Sequence, residues 1–154
     1  MGVDIHGWVE ISEWGRDKWD EEYAWGGVIN VGSIVQACDE VSELLFGFSK
    51  GALIGRELPH VPIAMNRGTP ANPSSQVSLE LEWIQEHERK FGPGEFRGYS
   101  HLYMSEIDAL DWQHYGVATT EPNDWWLLFK MIDALRSDQR FVNAGFRLVC
   151  WVSW

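Results

Sequence analysis

Val3, Ile5, Gly7 and Val9 alternate with Asp4, His6, Trp8 and Glu10, the period of a strand with one face turned inward. A second extended stretch is expected from Tyr23 to Val31, after an acidic and aromatic turn over residues 15–22. Ser33 then opens a predicted helix, with Gln36 three residues on as its capping-box partner. Ile34, Cys38, Val41, Leu45 and Phe48 fall on one face of that helix, and Gly47 stands where it should stop.

Residues 49–76 hold four of the six prolines and predict a long loop. Its embedded Leu58, Val61, Ile63 and Met65 favour an ordered loop packed on the body. Over 77–90, Val77, Leu81 and Ile84 suit a helix, with Ser78 as N-cap, a basic end at Arg89-Lys90 and a break at Gly92-Pro93-Gly94. Tyr99–Met104 reads as a short strand, and Ser105 with Asp108 as a capping box for a helix ending near Trp112. Pro122 suits a helix start, followed by the stripe Trp125, Leu128, Phe129, Ile132 and Leu135. Phe146–Val152 is a closing strand. Few strands and several helices without a repeated strand–helix rhythm predict a single α+β domain over 1–154. It would have a small, mainly antiparallel sheet and three to four helices.

Composition narrows function more than fold. Twelve basic against 23 acidic side chains leave a net charge of −11, which opposes general binding to nucleic acid or anionic membrane. Cys38 and Cys150 sit in apolar runs and read as buried small hydrophobes rather than a disulfide. No leader-like or membrane-spanning stretch stands out, so a cytoplasmic protein is expected. Ten tryptophans exceed what a core needs. Trp83, Trp112 and Trp125 lie on stripes suited to a core, while Trp8, Trp14, Trp19 and Trp25 gather near the N-terminal strand.

Three places carry candidate chemistry. Asp4 and His6 share one strand face, where a carboxylate beside an imidazole suits cation binding or general-base work. The string Asp4-Ile5-His6-Gly7 resembles the first metal motif of calcineurin-like metallophosphoesterases, but that family's other elements are missing. In the run 97–103, Tyr99, His101 and Tyr103 share a face, suited to stacking on a planar ligand, while Ser100 faces the other way. Arg67, beside Gly68 in the long loop, and Arg97 are candidate anion grips. The acidic run Glu80, Glu82, Glu86 and Glu88 reads as a solvated helix face, and His60, His87 and His114 as scattered structural or solvated side chains.

At these residues the chain resembles a widespread family of small bacteriophage and prophage proteins. The shared features are the opening Met-Gly-x-Asp4-Ile5-His6, the mid-chain Arg67-Gly68, the Gly98-x-Ser100-His101 element leading to Asp111-Trp112, and the terminal strand from Arg147. Val3 stands where the family has cysteine, Asn66 where it has proline, and Tyr99 and Leu102 where it has histidine and serine. The resemblance implies a shared site built from Asp4, His6, Arg67, Ser100 and His101, and a location in the bacterial host's cytoplasm. It supplies no reaction.

The first functional expectation is a phage-type accessory protein holding a small anionic or nucleotide-like ligand, such as a host defence signal, with Asp4, His6, Trp8, Arg67, Arg97, Tyr99, Ser100, His101 and Tyr103 as its site. No metal or cofactor is expected, and self-association is compatible with it. An acidic protein–protein inhibitor of a host factor is the second expectation. A small hydrolase using Asp4, His6 and His101 is the third. Binding outweighs catalysis.

Overall fold

The computed structural model describes residues 2–12, 25–49 and 57–154. The expected turn at 15–22, Trp14, Trp19, Tyr23 and the loop segment 50–56 lie outside the described residues. Four antiparallel strands form one sheet: β1 (Asp4–Ser12), β2 (Trp25–Asn30), β3 (Phe96–Tyr103) and β4 (Phe146–Ser153), in the order β2-β1-β4-β3. The described helices are α1 (Glu40–Phe46), α2 (Ser75–Phe91), α3 (Met104–Asp108) and α4 (Asp124–Arg136). This is the expected α+β architecture.

Both faces of the sheet are covered. On one, Ile5, Val9, Ile11, Leu102, Leu148, Cys150 and Val152 meet Leu45 and Phe46 of α1, Ile107 of α3 and Trp125, Leu128 and Ile132 of α4. On the other, Val149 and Trp151 lie beneath Val77 and Ile84 of α2, with Phe96 and the edges of Trp8, Leu81 and Tyr99. Covering on both sides explains β4, in which all eight residues are buried. A central strand sandwiched this way reads as a continuous apolar run rather than an alternation.

Helix α1 starts later than the Ser33–Gln36 spacing predicts. Residues Val31–Ser33 form a 3-10 turn in which the Asn30 side chain accepts from the Ser33 amide. The helix begins after Asp39, whose carboxylate accepts from Val41 and Ser42 while the Ser42 hydroxyl accepts from the Asp39 amide. That reciprocal box satisfies two orphan donors at once and displaces the Ser33 start. Asn123, the N-cap of α4, also donates to Asp39, joining the two helix starts. Gly47 ends α1 in the left-handed region at φ 75°, as expected.

Helix α2 is capped by Ser74 rather than Ser78, so 75–76 belong to the helix and the irregular segment is shorter than 49–76. The Ser105–Asp108 box does not form either. Strand β3 runs directly into α3, where the Glu106 carboxylate accepts from the Tyr103 amide, and α3 ends at Asp108 rather than near Trp112. Cys38 and Cys150 are free thiols.

Candidate functional site

The predicted site residues separate into two groups. Asp4, His6 and Trp8 stand on β1, while Tyr99, His101 and Tyr103 stand on the same sheet face of β3. Strand β4 runs between them, so the groups lie two strand spacings, about 10 Å, apart. Trp151 fills the interval: His6 stacks on one side of it at 6.3 Å and Tyr99 on the other at 5.9 Å. The combined Asp4/His6/His101 arrangement required for hydrolysis is therefore not assembled.

Each group has its own chemistry. His6 Nε2 lies 2.7 Å from the Ser153 hydroxyl rather than on Asp4, and Asp4 is exposed. Together they line a concavity with Asn30, Gly32, Val35 and Gln36. Among the described residues those walls hold a carboxylate and no lysine or arginine, which suits an anion poorly.

On β3, Ser100 is fully buried, donates to the Ala64 carbonyl and accepts from the Arg67 amide at 3.2 Å. His101 Nδ1 donates to the Gly68 carbonyl at 2.8 Å, and Gly68 N donates to the Tyr99 carbonyl at 2.9 Å. Gly98, at φ 71°, carries the bulge between Arg97 and Ser100 that sets this register. The Arg67 guanidinium meets Glu106 at 2.9 Å and the Ile63 carbonyl at 2.9 Å. Arg97 stacks over the Trp154 ring and donates to the Gly94 carbonyl. Of the five residues expected to share one site, Arg67, Ser100 and His101 meet, and Asp4 and His6 stand apart on β1. The polar atoms of the three fasten the 63–68 turn along the outer edge of β3. Burial, with Glu88 nearby, pushes the Tyr99 phenol up to about 12.

Among the described residues no group of three or more histidine, cysteine or acidic side chains is placed to hold a metal ion. No described helix is long and apolar enough to cross a membrane.

Two features escaped the sequence. The first is buried: Glu10 and Arg147 form an ion pair at 2.6 Å, with side chains 0% and 1% exposed. Arg147 also reaches the Asn72 side chain and carbonyl, Ser74 N donates to Glu10, and the Trp25 ring lies 3.8 Å from the guanidinium carbon. This network fixes the start of α2. Gln76 accepts from Gly27 N at 3.0 Å, and Glu80 accepts from Trp8 Nε1 at 2.8 Å, so α2 is held along one side.

An exposed row farther along α2 is the second feature. Leu79, Trp83 and Phe91 are 65%, 59% and 75% exposed. Four-residue spacing places them with His87 in one row, the ridge that helices use to pack on other helices. Trp83 was expected in the core; Val77, Leu81 and Ile84 occupy the buried stripe, leaving Trp83 outside it. The row is braced from behind: Trp83 stacks on His87 at 5.2 Å and meets Phe96 edge-on at 5.9 Å, while His87 bonds Glu95 at 2.6 Å. Glu82 and Glu86 are exposed beside it. Arg89 and Lys90 both pair with Glu86, at 2.7 and 3.2 Å, and hold its carboxyl below the usual range.

No family model, curated protein or solved structure matches the chain.

Proposed function

We propose that the protein is a phage-type acidic binding module whose target is a host protein, with the exposed side of α2 as its contact surface. The observation that carries this reading is the exposed row Leu79, Trp83 and Phe91 on a chain of net charge −11. A monomeric surface scatters single apolar residues, whereas a contiguous aromatic row rimmed by polar groups is the anatomy of an interface. Tryptophan at such a position has the area and rigidity of a binding hot spot.

The small-anion reading has less support. Arg67 is paired with Glu106, Arg97 with Trp154 and Gly94, and His101 with Gly68, so an incoming anion must displace partners already in place. Catalysis has less still, with Asp4 and His101 on separate strands and the Ser100 hydroxyl buried.

Affinity capture from bacterial lysate tests the reading. The native chain is expected to recover a stoichiometric protein that a Leu79→Ser/Phe91→Ser variant does not. Recovery of no such protein, together with a thermal shift on adding cyclic or linear nucleotides, would reverse the order of the two readings.

A further inference from the structure

Resting on that reading, we infer that the occupant of the α2 ridge is a basic amphipathic helix of the partner, packing along α2 as one more helix. Two observations select it. The first is shape. Residues 79 to 91 rise about 18 Å, and a four-residue ridge of this length interdigitates with an apolar stripe of similar period on a second helix. The network of Glu10, Arg147, Gln76 and Glu80 holds α2 against the sheet before any partner arrives, so little ordering of this helix accompanies docking.

Charge is the second observation. Among the described residues, Glu80, Glu82, Glu86 and Glu88 flank the row on α2 and Glu95 bonds its His87, against Arg89 and Lys90, both of which are spent on the single carboxylate of Glu86. Lysines or arginines flanking an apolar stripe would meet this surplus, steering association and fixing orientation. The same surplus argues against a second copy as the occupant. It would bring an identical acidic rim and another net charge of −11, and like charge opposes close approach.

The test uses the full chain and three labelled synthetic peptides, read by fluorescence anisotropy. One is a four-turn amphipathic helix of leucine and lysine, the second a scramble of it, and the third the amphipathic helix with glutamate for lysine. The first is expected to bind, more weakly as salt rises, and the other two about tenfold more weakly or worse. Leu79→Ser/Phe91→Ser, which leaves the Trp83–Phe96 contact intact, and Trp83→Ser should each weaken binding of the first peptide by about tenfold. Glu82→Lys/Glu86→Lys should weaken it severalfold, with thermal unfolding confirming that every variant is folded. Equal binding of the scramble, equal binding of the glutamate peptide, or full retention by the ridge variants overturns the inference. Ridge-dependent capture of a lysate protein alongside such a result leaves the broader reading standing, whereas loss of both removes both.

Discussion

Glu10 and Arg147 are a registered pair on neighbouring central strands, bonded at 2.6 Å and shut away from solvent. Although 137 positions apart in the chain, they jointly hold Asn72 and Ser74, and so determine where α2 begins. The proposed contact surface on α2 depends on this pair without containing it.

Truncating one partner strands the other charge in the core. Glu10→Ala or Arg147→Ala is expected to cost about 3–5 kcal/mol, read as a drop in the urea midpoint. The double variant Glu10→Leu/Arg147→Met should recover most of that stability, because it removes both charges and keeps the volume. A double variant as unstable as the singles would refute this account of the pair.

Ser100 fastens the 63–68 turn with one donated and one accepted hydrogen bond. Ser100→Ala leaves the Ala64 carbonyl and Arg67 amide unsatisfied and is expected to cost about 1–3 kcal/mol, with faster amide exchange at Arg67 and Gly68. Partner capture through α2 should be unchanged in the folded variant. A loss of capture with no loss of stability would place function on β3 instead.

Burial raises the Tyr99 phenol from its ordinary 10 to about 12. The folded state therefore keeps this proton where the unfolded chain has lost it, and stability falls as pH rises from 10 towards 12. Ultraviolet titration of the four tyrosines should contain a late phase that Tyr99→Phe removes. Persistence of the late phase in that variant would assign it elsewhere.

Cys38 is pushed up to about 11, foremost by burial, with the Ser42 hydroxyl opposing and the carboxylates of Asp39, Glu43 and Asp4 adding to the shift. Burial alone drives Cys150 higher. Thiolates are the reactive form, so both thiols should resist a disulfide reagent at neutral pH and react together on unfolding. Rapid modification of Cys38 in the native protein would contradict its environment.

Two strands were legible for different reasons: Val3–Val9 alternates with polar residues, and Phe146–Val152 is a short continuous apolar run. That these two form the centre of the sheet was visible only in the structure. Helix starts were less legible, because Ser33 and Asp39 both offer caps and only Asp39 also receives Asn123 from another helix. Trp83 was misplaced for a related reason: α2 has apolar residues at helical spacing on two sides, and only the position of the sheet decides which is buried. Glu10 gave no local sign of burial, since its partner lies at the other end of the chain. Arg67, Ser100 and His101 were grouped with Asp4 and His6 into one site, and only the first three meet. Their mutual bonds, and not their residue types, reveal that they fasten a loop.

Site-specific photo-cross-linking tests the central claim most directly. A photoreactive side chain replaces Trp83 on the α2 ridge, or Leu127 on α4, which is also exposed, in full chains mixed with bacterial lysate. The prediction is one dominant covalent adduct from position 83, suppressed by Leu79→Ser/Phe91→Ser, and none of comparable yield from position 127. Equal adducts from both positions, or an adduct at 83 indifferent to the ridge substitutions, would contradict α2 as the binding surface.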